Sequence, residues 1–315
     1  MDSIRSAEQR RIESGIVGKY GVPFLDDFLV GIAPKDLVII AAPTGAGKTE
    51  LVYDIAYSNS RDKRVALFAL EADQDEPKLR RLFKIVAKLY YDDTNQYKAH
   101  IDMSYRNFTL NQIDVSKYMP RALEIYEMHP EPEIIYRDGS FNIDTFKQKV
   151  LEKNYDLLII DHLDYFDLNE NSSENMQISE IMKTLRDVNQ LYGIPIIAVS
   201  HLRKTSNKAK MPTANDLMGS SNKAKQAKTL IMLAPDYEYE NADASHYSTF
   251  FSVEKSRAGG TGKYLARQIF DVTRNAYKPT YDIVKHNRFN DEVEIIEEHK
   301  YPAWANKKKP ESLPF

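Results

Sequence analysis

Cysteine is absent from the 315-residue chain, which excludes disulfide frameworks, thiolate zinc sites, iron–sulfur clusters and cysteine nucleophiles. Long apolar runs are absent as well; none approaches the roughly 18 residues that a membrane-spanning helix needs. The first residues, MDSIRSAEQRRIESG, are polar and hold no apolar core of a secretory signal. These absences make a cytoplasmic protein with no membrane partner the expectation. Net charge is nearly absent too, because 43 Lys and Arg face 46 Asp and Glu, leaving −3. Such a balance argues against a generic nucleic-acid binder, so any such role must come from locally segregated charge. What is present is a globular composition, 42% hydrophobic and 28% charged, in a chain long enough to bury a real core.

Short apolar runs at Leu37–Ala41, Val65–Leu70, Leu157–Ile160 and Ile194–Val199 are too short for helices and rich in Val, Ile and Leu. They read as strands buried on both faces of a parallel sheet, with Ile134–Tyr136 as a fifth. Helix-length patterns fall between them at 48–59, 76–90, 111–127, 142–152 and 175–191. Alternation of this kind predicts an α/β fold with a mostly parallel central sheet flanked by helices. Beyond residue 228 the runs Thr229–Leu233, Thr249–Lys255 and Tyr264–Val272 read as strands. The last two are joined by the glycine-rich segment 258–262, a hairpin signal, so antiparallel strands should finish the sheet. The expected organisation is an N-terminal polar helical arm over 1–20, a globular domain over 21–300 and a loose tail over 301–315.

Leu37–Ala41 runs directly into Ala42-Pro43-Thr44-Gly45-Ala46-Gly47-Lys48-Thr49 and then into the helical pattern beginning at Leu51. Strand, glycine-rich loop and helix form the context of a phosphate-binding P-loop. Pro43 to Thr49 would cradle the phosphates of ATP or GTP with inward-facing N–H groups and the positive end of the helix dipole. Lys48 would reach the β- and γ-phosphates, and the Thr49 hydroxyl would ligate Mg²⁺. Ala42 stands where the motif usually begins with glycine, which is tolerable if its backbone is not left-handed.

Asp161 closes the apolar run Leu157–Ile160, the Walker B pattern, and would hold Mg²⁺ through water. His162 follows it where many P-loop ATPases carry a catalytic Glu. The base must therefore come from elsewhere. Glu71, at the end of Val65–Leu70, is the candidate, delivered beside the γ-phosphate by a strand expected next to the P-loop strand.

Glutamate after the second strand, an acid after Leu157–Ile160 with no following Glu, and the loop itself together resemble the RecA-like P-loop ATPases. Within them the chain is similar to the motor domain of DnaB-type replicative DNA helicases. The matching stretches are GVPFLDD (21–27), AAPTGAGKT (41–49), VALFALEAD (65–73), LLIIDHLDYF (157–166), GIPIIAVSHL (193–202) and FFSVEKSRAGGTGK (250–263). The resemblance spans roughly 16–275 and implies an ATP-hydrolysing, ring-forming helicase or translocase on single-stranded DNA. It implies self-association, as a hexamer, and contact with other replication proteins. By the same resemblance His201 matches the polar sensor linking the γ-phosphate to the DNA-binding loop. Lys255 and Arg257 match the Lys-x-Arg pair inserted into a neighbouring subunit's ATP site, where a guanidinium stabilises charge on the transferring phosphoryl group. A recombinase-like or clock-type RecA ATPase that assembles on DNA or protein without unwinding is the alternative. A small-molecule phosphotransferase fits less well, since neither a lid nor an acceptor site is recognisable.

Positive charge is segregated as a polymer-binding role requires. Arg203, Lys204, Lys208, Lys210, Lys223, Lys225 and Lys228 meet one acid, Asp216. Arg203, Lys204, Lys208 and Lys210, in a polar segment without aromatics, are the candidates for gripping single-stranded DNA by its phosphates. The lysines at 223–228 depart from the acids usual there in the resembling family and read as additional polymer contact.

Overall fold

The computed structural model describes residues 4–6, 8–9, 15–94, 103–167, 174–202, 211–217, 220–239, 246–257, 264–271, 274–303 and 305. Within them a short helix, α1 (Pro23–Phe28), precedes β1 (Leu37–Ala42) and α2 (Lys48–Asn59). Next come β2 (Val65–Ala69), a helical insert of α3 (Glu76–Thr94), α4 (Tyr105–Thr109) and α5 (Met119–Glu127), and then β3 (Glu133–Tyr136). The chain continues through α6 (Ile143–Glu152), β4 (Leu157–Asp161), α7 (Glu174–Tyr192), β5 (Ile196–His201) and α8 (Ser220–Gln226). It ends in β6 (Thr229–Pro235), β7 (His246–Ser256), β8 (Tyr264–Asp271), β9 (Ala276–Asn287) and β10 (Glu292–Lys300).

All ten strands form one sheet in the order β10-β9-β8-β7-β6-β1-β5-β4-β2-β3. The pairs from β6 through β3 are parallel, and those from β6 out to β10 are antiparallel. The α/β expectation with a terminal antiparallel segment therefore holds. The central strands β1, β2 and β4 are buried along their whole length, as apolar runs covered on both faces require. Alternate residues supply two separate layers. Val38, Ile40, Val65, Leu67, Ile159 and Val199 pack with α1 and α2, including Leu51, Val52 and Ile55. Leu37, Ile39, Ala66, Phe68, Leu158 and Ala198 pack on the opposite face with α6 and α7, including Phe146, Met182 and Leu185. The insert α3–α5 holds its own smaller core around Val86, Tyr91 and Ala122.

The single helix expected over 111–127 is not formed. α4 stops at Thr109, Asn111 takes a left-handed φ of 55°, and α5 starts at Met119 with Pro120 in its first turn. Proline there is preorganised for a helix start and lacks only an N–H that would be unpaired anyway.

β9 and β10 carry no strand signature in the sequence analysis. β9 contains Pro279, which cannot donate to a ladder, and its register to β8 shifts between Gln268 and Phe270. The fully buried Gln268 satisfies the irregularity, its amide donating to the carbonyls of Lys278 at 2.8 Å and Thr280 at 2.9 Å. β10 is an edge strand studded with Glu292, Glu294, Glu297 and Glu298, charges that oppose edge-to-edge association.

Candidate nucleotide site at the carboxyl ends of the parallel strands

β1 delivers the chain into a turn at 43–47 and α2 begins at Lys48. Gly45 and Gly47 adopt φ of 81° and 80°, conformations that L side chains avoid. Ala42 is the last residue of β1, buried and not left-handed, so its methyl costs the loop nothing. Gly47 is the N-cap of α2 and no side chain caps that helix. The first-turn N–H groups are therefore left facing the loop, the arrangement that receives an anion. Lys48 is buried at 7% exposure and folds back over the loop, donating to the carbonyls of Ala42 and Pro43 at 2.9 Å each. Burial lowers its pKa, opposed by the carboxylates of Asp161, Glu71 and Asp164.

Strand order places the remaining groups. His201 ends β5 and is the direct register neighbour of Ala42. β4, next to β5, ends in Asp161, and β2 lies beyond β4. The strand carrying Glu71 is thus not adjacent to the P-loop strand, contrary to expectation, because β5 and β4 intervene. At about 4.8 Å per strand this sets β2 roughly 14 Å from β1. Glu71 nevertheless turns toward the loop from beyond the strand end, its N–H 3.4 Å from the Asp161 carbonyl, and its charge is felt at Lys48 and Asp161.

Asp161 is 1% exposed. Burial raises its carboxyl to about 6, against the opposing influence of His162 and a hydrogen bond from Thr49. One of its oxygens, Oδ1, is buried with no hydrogen-bond partner. An unsatisfied buried carboxylate oxygen beside a threonine hydroxyl fits a divalent cation with oxygen ligands.

Sequence reasoning gave no role at this site to three residues. His162, at 2% exposure, lies between Glu71 and His201, with Nε2 3.1 Å from Glu71 Oε2 and its ring 4.0 Å from that of His201. Asp164 accepts from the His201 backbone N–H at 3.0 Å and from Lys223 at 2.7 Å. Lys223, 1% exposed, also donates to Ser200 Oγ at 2.8 Å. Burial opposes ionisation of Asp164, but His162 and Lys223 hold its carboxyl well below the usual range. Burial and the charges of His162 and Lys48 lower the pKa of His201. The only signal in the sequence was the substitution at 162.

Lys223 is therefore not a polymer contact, and Lys228 pairs with Asp36 at 2.9 Å. Each meets an acid distant in sequence, Lys223 in the interior and Lys228 at its edge, where its side chain is 32% exposed. Arg203, Lys204, Lys208 and Lys210, and the hairpin segment 258–262, lie outside the described residues.

Lys255 and Arg257 reach the same place, as alternate strand residues should. Lys255 donates to the carbonyls of Ala224, Lys225 and Ala227, and Arg257 to that of Lys225 at 2.7 Å. Both thus stabilise the C-terminal end of α8, where cations are favoured. Ser256 pairs with Thr229 and Thr229 sits beside Val38. The pair thus lies toward the amino end of β1, roughly 16 Å along the sheet from the loop after Ala42.

Among the described residues no helix is long and apolar enough to cross a membrane. Residues 18–274 match the family of the DnaB-like helicase C terminal domain. The replicative DNA helicase DnaB of Mycoplasma pneumoniae is 25% identical over 265 residues, covering 78% of this chain and 53% of that protein. That of Pasteurella multocida is 24% identical, covering 84% and 56% respectively. The chain thus spans about half the length of the curated relatives it matches. In fold it resembles a DnaB-like replicative helicase solved with its primase interactions, with TM-score 0.66, 19% identity and coverage of 86% of this chain and 65% of that one. A separately solved ATPase domain aligns with TM-score 0.64 and 21% identity over 84% of this chain and 94% of that one. The matched range runs from ahead of β1 to just past β8, taking in the loop, Glu71, Asp161, His201 and the Lys-x-Arg strand, and the chain belongs to the DnaB-like helicase C-terminal domain family.

Proposed function

We propose that the chain is an ATP-driven motor on single-stranded DNA, acting as a ring-forming, hexameric replicative helicase that hydrolyses ATP between neighbouring copies. The observation that carries this reading is the meeting, at the carboxyl ends of β1, β5, β4 and β2, of an uncapped P-loop helix with Lys48, Thr49, Asp161, His201 and Glu71. Thr49 and the orphaned Asp161 Oδ1 would hold Mg²⁺, which, when bound, neutralises charge on the β- and γ-phosphates.

Pro43 to Thr49 bind the triphosphate through loop and helix N–H groups, and Lys48 exchanges its two carbonyl partners for phosphate oxygens. Glu71 orients the attacking water and accepts its proton. His201, one strand from the loop, senses the γ-phosphate and passes its loss to the segment after β5. Arg203, Lys204, Lys208 and Lys210 in that segment grip DNA phosphates, on the strength of their charge and position. Lys255 and Arg257 lie too far from their own loop to serve it, which supports their action on a neighbour's nucleotide. Residues 21–300 form the motor in this reading, with 1–20 as a docking arm and 301–315 as a tail.

The test is strand displacement on a forked duplex beside DNA-stimulated ATP turnover. Unwinding that needs ATP, loss of turnover in Lys48→Ala and Glu71→Gln, and loss without loss of nucleotide binding in Arg257→Ala are expected. Turnover without strand separation would favour the non-unwinding RecA-like alternative, and full turnover by Glu71→Gln would refute the assignment of the base.

A further inference from the structure

Glu71, His162 and His201 each offer one donor atom, and these atoms lie within 4.8 Å of one another. Among them the His162 Nε2 is buried, 3.1 Å from Glu71 Oε2, and without a hydrogen-bond partner. A buried polar atom left unpaired is costly. Here it stands beside a carboxylate, and its ring is flanked edge to face by a second imidazole. Donors bound at about 2.1 Å to one metal stand roughly 3.0–3.4 Å apart when adjacent, and the His162–Glu71 separation already has that value.

The donor chemistry selects the metal. Two imidazoles and one carboxylate suit borderline transition ions, whereas Mg²⁺ takes oxygen ligands and keeps its waters. Thr49 and Asp161 supply the oxygen set; the histidine set is separate from it. Support from surrounding groups is also in place. The Asp164 backbone N–H donates to the other His162 nitrogen at 3.3 Å, and the Asp164 carboxylate, 3.4 Å from that nitrogen, accepts from the His201 backbone N–H. Lys223 in turn fixes that carboxylate. The second nitrogen of His162 and the backbone of His201 are thus both held by Asp164, so the groups around the donor atoms are fixed by the fold.

We propose that Glu71, His162 and His201 form a binding site for a divalent transition metal such as Zn²⁺ or Co²⁺, distinct from the Mg²⁺ position. Occupancy takes Glu71 away from water and arrests hydrolysis. The binding site stands on geometry alone; the arrest rests on the proposed role of Glu71. The metal then holds the chain in a resting state until it is withdrawn.

The full chain, free of nucleotide, is titrated with Co²⁺ and the visible absorption of the bound ion is followed, with calorimetry for Zn²⁺. One ion per chain is expected. His162→Ala and Glu71→Gln should each weaken binding by about 10- to 100-fold or more, whereas His299→Ala, on exposed β10, leaves it unchanged. The Glu71 side chain is 45% exposed, so its variant folds even if the buried His162 variant does not. With Mg²⁺ and ATP present, one equivalent of Zn²⁺ should slow turnover by about 100-fold or more, the size of a lost general base, and a chelator should restore it. No binding by the wild-type chain, or equal binding by Glu71→Gln, overturns the site. Full turnover by the Zn²⁺-loaded chain overturns the arrest. A chain that binds Co²⁺ as expected but hydrolyses no ATP without it refutes the proposed function and leaves the site standing.

Discussion

Replacing Lys223 with methionine keeps most of the side-chain volume but removes the charge and the hydrogen bonds to Asp164 and Ser200, the buried link between α8 and the nucleotide site. Its Nζ stands 2.7 Å from Asp164 Oδ1, with the two side chains 2% and 17% exposed. At an effective dielectric of about 20, unit charges at that separation attract by ~6 kcal/mol. Desolvation of both ions cancels much of this, so the intact pair contributes little net stability. Removing one partner is different. Asp164 is left buried and ionised, with the His201 N–H at 3.0 Å and His162 as its remaining neighbours. The expected loss is about 3–5 kcal/mol, read from urea unfolding of the full chain as a lower midpoint with an unchanged slope. Asp164→Asn in the Lys223→Met background should restore part of it, giving a coupling energy of about 1–3 kcal/mol in the double-mutant cycle. A single-variant loss below about 1 kcal/mol, or strict additivity, would refute the argument that a buried ion pair joins the helix to the site.

Gly47→Ala meets open space but must hold φ at 80°, so it should cost about 1–2 kcal/mol and weaken nucleotide binding, seen by calorimetry with a non-hydrolysable analogue. Lys84 lies 2.8 Å from Glu50 and 2.7 Å from Asp54; since both acids are partly exposed, Lys84→Met should cost only about 1–2 kcal/mol. Burial depresses the Lys84 pKa, but Asp54 and Glu50 outweigh it and raise it above 10.5. A raised lysine contributes its full stabilisation below its unfolded pKa, and this is lost as pH rises through the folded value. Thermal melts should therefore show the wild-type advantage over Lys84→Met at pH 7–9 shrinking above about pH 10.5.

Several features were legible because they are encoded within a few residues. The apolar runs of β1, β2 and β4 and the spacing of Gly45, Gly47, Lys48 and Thr49 fall in this group. The misreadings share a cause. β9 and β10 hide behind Pro279 and a row of glutamates, and their strand character comes from pairing and from the Gln268 amide. The 111–127 pattern has helical periodicity, yet the left-handed Asn111 and the Pro120 start split it. Lys223 and Lys228 look like a charged stripe until the fold supplies Asp164 and Asp36.

The sequence by itself determined that the chain has a glycine-rich strand-to-helix loop on an α/β sheet, that Asp161 ends an apolar strand and that Glu71 follows another. Glycine conformation, strand burial and helix starts are local physics, decided by each residue and its near neighbours. Tertiary structure alone decided that β5 and β4 lie between β1 and β2, that His162 joins Glu71 to His201, and that Lys223 leaves the basic segment for the interior. Those outcomes depend on crossover connections and on pairs as far apart as Lys223 and Asp164, 59 residues distant in the chain. No local preference can encode such a pairing, because the buried charge acquires its partner only when the sheet has assembled around it.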